Sequence, residues 1–146
     1  METIRAILGG SQVGRMATVN PGGYPVIKPV NFLYMDDRIY VHSSLHGEKA
    51  DDIRRGSRVC FEVDVPIAYV ATRGPACKAN FYYRSVILKG KASLLDDREK
   101  KREVLGKMME KYQPEGGFKE IQKEVLEKTA IIEIRADEIT AKENLG

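Results

Sequence analysis

Short runs of alternating apolar and polar residues make up most of this chain, and glycine, proline or paired acids end each run. The opening ETIRAILGGS instead has helical spacing, which predicts a short helix ended by Gly9 and Gly10. Strands are predicted over Arg15–Val19, Tyr24–Tyr34, Ile39–Ser43, Arg58–Val63, Phe81–Leu95 and Ala130–Ala136. Asn20 to Gly23 is a dense turn signal, so the first two strands form a hairpin, and Met35 to Arg38 make the next turn. A helix from about Gly47 closes with Arg54, Arg55 and Gly56, cations followed by a glycine stop. Asp64 to Asn80 contains Pro66, Gly74 and Pro75 and reads as a loop, while Gly90 suggests a bulge in the fifth strand.

Late in the chain, Asp96 and Glu99 have the spacing of a capping pair. Leu105, Met108, Met109 and Tyr112 follow as one apolar stripe, read as core, on a helix over 97–112 that Pro114 stops. Phe118, Ile121 and Val125 mark a further helix. Six strands joined mainly by hairpins, with helices inserted late, predict a mainly β fold: a six-stranded antiparallel barrel with peripheral helices. The regular βαβ alternation of a parallel sheet is missing.

Composition narrows the function classes. At 146 residues, with no internal repeat or linker, residues 1–146 form one predicted domain. The net charge of +3 is spread among acids with no run of five like charges, so no nucleic-acid partner is expected. Cys60 and Cys77 are too far apart for a CxxC motif and too few for a disulfide framework, which favours a reducing compartment. There is no basic-then-apolar leader and no apolar run of about 18 residues, so the expected location is cytoplasmic, with no membrane partner.

Three places carry candidate chemistry. Pro29 removes a donor from the strand holding Lys28, Val30 and Asn31, so that strand should be an edge or bulged. Its free backbone groups either hydrogen-bond a heteroaromatic ring or are merely shielded from aggregation by the prolines. His42, Ser43 and Ser44 end the next strand where a helix starts, with Lys49 near its first turn against the macrodipole. Hydroxyls, N–H groups and a cation together suit a phosphate; the plainer alternative has Ser44 capping the helix and Lys49 in solvent. His42 and His46 lack an acidic or cysteine partner, and no metal site is expected. Arg84 falls on the face of Tyr82, Val86 and Leu88, where a guanidinium needs a ligand anion or an internal ion pair, while Ser85 points the other way. A broken strand edge beside a phosphate site suggests a planar cofactor with a phosphate tail.

The segments GRMATVNPGGYPVIKPVNFLY, IYVHSSLHGEKADDIRRGSRVCFEVD and YYRSVILKGKASLL, in that order, resemble the pyridoxamine-phosphate-oxidase-related flavoproteins, and most of all their nitroimidazole-resistance (Nim-type) branch. The resemblance spans roughly residues 3 to 142. It implies a split β-barrel homodimer binding FMN (FAD being the other flavin) at the subunit interface. It further implies ring contacts from Lys28, Pro29, Val30 and Asn31, ring and phosphate contacts from His42, Ser43 and Lys49, and a contribution from Arg84 and Ser85 of the opposite subunit. The implied activity is electron transfer from a reduced donor, for example a reduced nicotinamide, to a small acceptor such as a nitroaromatic. No residue is singled out as a covalent catalyst. ITAKENLG lacks the arginine and aromatic residues with which the oxidases proper grip pyridoxamine phosphate, and Glu48 stands where they often have arginine. Two rivals are a non-catalytic flavin-storing protein and a haem-binding split barrel with His42 or His46 as axial ligand.

Overall fold

The computed structural model describes residues 2–146. Helix α1 (Glu2–Gly10) leads into strands β1 (Gly14–Val19), β2 (Pro25–Val30), β3 (Leu33–Met35) and β4 (Arg38–Ser44). Helix α2 (Glu48–Arg54) and strands β5 (Arg58–Val70) and β6 (Asn80–Leu94) follow. Helices α3 (Arg98–Tyr112) and α4 (Lys123–Lys128) precede the last strand, β7 (Thr129–Asn144). All seven strands form one antiparallel sheet in the order β2-β1-β5-β6-β7-β4-β3.

That order forces the sheet to curl. Strands β2 and β3 are its two edges, yet only Asn31 and Phe32 join them. A flat seven-stranded sheet would hold its edges about 29 Å apart, at roughly 4.8 Å per strand. The three Cα steps from Val30 to Leu33 reach about 11 Å at most. The edges therefore meet at a seam, and the sheet is a barrel split along it. Met16, Phe32, Val41, Phe61, Val86, Leu88 and Ile134 fill the interior, with Ile4, Ile7 and Leu8 of α1 packed against them. Phe32 meets Phe61 edge-on at 5.0 Å. A second cluster, Leu33, Tyr40, Val104, Met108 and Ile131, lies where α3 covers the outside of β3, β4 and β7.

The predicted class holds, with local corrections. The strand expected over Tyr24–Tyr34 is two strands broken at the seam, so the barrel has seven strands rather than six. The loop expected from Asp64 is largely strand: β5 runs on to Val70 and tolerates Pro66 at a register shift. The last strand reaches Asn144 rather than Ala136, and α4 is confined to Lys123–Lys128. Asp97, not Asp96, caps α3, accepting from the N–H groups of Glu99 and Lys100. Gly90 does sit at a shift in the β6–β7 register, where a Cβ would lie 1.9 Å from the Arg135 carbonyl oxygen. No helix among the described residues is long and apolar enough to cross a membrane.

Candidate functional site

Prolines keep β2 at an edge, as its sequence requires, and its outer side opens on the seam. Lys28 Nζ lies 2.6 Å from Glu48 Oε1. This ion pair ties the edge strand to the first turn of α2. Asn31 of the first segment and His42 of the second line one cavity. Two of the three sequence-predicted segments therefore converge on the seam.

The individual groups differ in what they offer. Val30 is buried in the core, so only its backbone is available outside, whereas Pro29 and Asn31 are exposed. The Asn31 Nδ2 donates to the Gln12 carbonyl at 3.2 Å. His42 is exposed, and the half-buried Ser43 hydroxyl donates to the Ser44 carbonyl at 3.1 Å. Ser44 does not cap α2, as the plainer alternative required: the N-cap is Gly47, with no side-chain hydrogen bond. The first-turn N–H groups consequently have no side-chain acceptor. Of the first-turn acids, Glu48 is paired with Lys28 and Asp51 with Arg54 at 3.0 Å. Half-buried Lys49 joins no ion pair among the described residues and supplies the net positive charge of this turn.

Arg84 and Ser85 lie elsewhere. Arg84 has the parity of the buried Val86 and Leu88, but here the β5–β6 ribbon has run past the end of the core. Its side chain is 45% exposed, and its Nε pairs with Glu143 Oε1 at 2.8 Å. The expected buried guanidinium is thus corrected: the partner is an internal carboxylate at the surface. It borders a depression beside Thr3, Ser11 and Glu143 that shares no lining residue with the cavity of Asn31 and His42, and half-buried Ser85 faces the opposite side of the strand.

The device that fixes the end of the seam was not legible in the sequence. Tyr112, assigned to the core stripe, places its hydroxyl 3.0 Å from the Phe32 nitrogen and 2.6 Å from the Gln12 carbonyl oxygen. Neighbouring Lys111 donates to the Phe32 carbonyl at 2.9 Å, with its ammonium 3.7 Å from the Phe32 ring centre. Burial lowers the Lys111 pKa from 10.5 to about 8. The end of α3 thus satisfies both backbone groups of the residue at which the sheet breaks. Only the helix-stop signal after Tyr112 hinted that a polar group could be directed there.

An edge strand with free backbone groups, an uncapped helix start and an unpaired lysine can together hold a flat heterocycle that carries an anion. The family profile described as pyridoxamine 5'-phosphate oxidase matches residues 1–143. No curated protein matches the sequence. Among solved structures, a flavocytochrome from Azotobacter vinelandii is 27% identical, with a TM-score of 0.89 over 100% of this chain and 68% of its own. An FAD and heme binding protein from Mycobacterium smegmatis is 20% identical, also with a TM-score of 0.89, over 99% and 71%. A candidate 5-nitroimidazole antibiotic resistance protein from Bacteroides thetaiotaomicron is 23% identical, with a TM-score of 0.83 over 96% and 81%.

Proposed function

Because this chain belongs to the pyridoxamine 5'-phosphate oxidase family, we propose that it is a flavoprotein oxidoreductase that holds FMN at the barrel seam. It passes electrons from a reduced donor, for example a reduced nicotinamide, to a small acceptor such as a nitroaromatic. The observation that carries this reading is the Lys28–Glu48 pair, which joins the edge strand to the start of α2 and leaves Lys49 free for an anion. Lys49 and the first-turn N–H groups would hold the phosphate, and the backbone of Lys28 to Asn31 would meet the polar edge of the ring, with His42 and Ser43 beside it. The flavin supplies the redox chemistry when bound. The chain's own contribution is orientation and the local field, and no covalent catalyst is required.

The reading includes a homodimer. Ile67, Tyr69 and Phe81 are exposed on the part of the β5–β6 ribbon that extends beyond the core. A two-stranded ribbon is only marginally stable in water by itself, and a second copy would cover it. In such a dimer, Arg84 and Ser85 would reach the partner's flavin. Two free cysteines suit a reducing cytoplasm.

The test is the chromophore released from purified protein, followed by titration of the stripped protein with FMN and FAD. A yellow protein that releases FMN is expected; a protein that neither carries nor binds flavin overturns the proposal. Turnover of a reduced nicotinamide with a nitroaromatic then separates an enzyme from a storage protein. The flavocytochrome likeness favours a second reading, haem at His42, which faces an apolar cavity. That cavity has no lysine or arginine in its lining to meet haem's carboxylates, so the flavin reading is preferred. A Soret band would reverse the preference.

A further inference from the structure

We propose that the cavity between α3, the 113–128 segment and the seam is a second binding site, for a neutral, flat, mostly apolar molecule of one or two fused rings. Its role as the seat of the electron acceptor rests on the flavin reading; the binding site does not. The cavity measures about 400 Å³, within the range of small-molecule sites. Leu105, Met108 and Met109 of α3 form one wall, and Ile121 and Val125 form another. Methionine side chains adapt readily to flat ligands. Among the described residues, no lysine, arginine, aspartate or glutamate lines the cavity. A phosphate or carboxylate entering it would lose hydration without gaining a counter-charge, so charged molecules are rejected.

The cavity is polar at one end. Asn31, His42 and Thr129 are gathered there. The Asn31 Nδ2 is engaged by Gln12, which leaves its carbonyl oxygen, and the His42 imidazole is exposed. These groups can orient one carbonyl, nitro or hydroxyl group on an otherwise apolar ring. Asn31 and His42 also belong to the segments assigned to the flavin. Lys28, Pro29, Ser43 and Lys49 of the same segments are not in the cavity lining, so on the flavin reading a molecule in the cavity would share these two residues, Asn31 and His42, and lie next to the cofactor rather than in its place.

Two probes with the same ring separate charge from shape: 1-naphthol and 1-naphthyl phosphate, titrated calorimetrically into the purified protein with and without added FMN. The expected result is that 1-naphthol binds, with the phosphate at least about tenfold weaker. Met109→Asp and Val125→Asp should each weaken 1-naphthol by at least about tenfold while changing FMN affinity less than about twofold. Both positions lie outside the two buried clusters, and Val125 is 49% exposed, so the fold should survive. Equal binding of both probes, 1-naphthol binding unaffected by both variants, or displacement of FMN by 1-naphthol would overturn the proposal. A protein that binds 1-naphthol through Met109 but binds no flavin would sustain the cavity site and refute the flavin reading.

Discussion

Replacing Tyr112 with phenylalanine removes one oxygen atom and tests whether the seam is held from outside the sheet. The Tyr112 hydroxyl accepts from the Phe32 N–H at 3.0 Å, and its single proton goes to the Gln12 carbonyl at 2.6 Å. Lys111 serves the Phe32 carbonyl, so the two ends of that peptide have separate partners. In Tyr112→Phe, Gln12 is exposed and can turn to water. The Phe32 nitrogen belongs to a residue with 0% exposure and has no such recourse. Leaving a buried donor unpaired costs about 1–3 kcal/mol, and the ring's packing is otherwise retained. The expected loss is therefore about 2 kcal/mol, or roughly 4–8 °C in Tm for a chain of this length. Urea unfolding followed by far-ultraviolet circular dichroism measures it. A loss below about 0.5 kcal/mol would show that water reaches the Phe32 nitrogen and that α3 does not fix the end of the seam. Flavin affinity should fall in the same variant, because Lys28 to Asn31 lead directly into Phe32.

Four further outcomes are expected. Lys49→Ala should weaken FMN binding by about 1–3 kcal/mol, the scale of a charge-assisted hydrogen bond, and Asn31→Ala by less, because the peptide groups remain; a flavin titration showing the reverse order would remove Lys49 from the phosphate site. Glu48→Gln should tighten FMN by about 0.5–1 kcal/mol by removing an anion from the same turn, whereas weaker binding would mean that the Lys28–Glu48 pair organises the site instead of opposing its charge. For Lys111, the native pKa of about 8 lies below the ordinary 10.5, so between these values the unfolded chain holds a proton that the native one has lost, and wild-type stability should rise with pH relative to Lys111→Met; a stability difference that stays constant from pH 7 to 10 would contradict this. Gly90→Ala should cost about 3 kcal/mol or more, because its Cβ would meet the Arg135 carbonyl oxygen at 1.9 Å, and an unchanged urea midpoint would rule out this close approach.

How much of this was legible in the sequence depends on the range of the contacts involved. Alternation and turn residues are local, and they located β1, β4, α1 and α2 to within a residue or two. Pro29 correctly marked an edge, because a missing N–H constrains any sheet that contains it. The break at Asn31–Phe32 has no local signature. The apolar pattern runs on through Val30, Phe32 and Leu33, and what stops the strand is the closure of the barrel. Parity put Arg84 on the core face, but it could not show that the core ends at Val86. Tyr112 fitted an apolar stripe because its ring is largely apolar, while its hydroxyl acts on a residue 80 positions away.

The seam also explains why the candidate site lies where it does. In a closed barrel every strand edge is paired, and no backbone would be left to recognise a planar ligand. Here the chain passes from one edge of the sheet to the other in two residues, which keeps the edges close without hydrogen-bonding them to each other. The break is held by polar groups outside the sheet that supply what the missing ladder would have given at Phe32: the Tyr112 hydroxyl at its nitrogen and the Lys111 ammonium at its carbonyl. The seam can therefore remain open to a ligand along β2 while staying fixed at its end. Loosening the latch at Phe32 should make the ring-binding edge mobile before it unfolds the barrel. In Tyr112→Phe, amide hydrogen exchange should accelerate first at Val30 to Leu33 and leave β5 and β6 protected; uniform acceleration across the sheet would show that the seam has no independent opening.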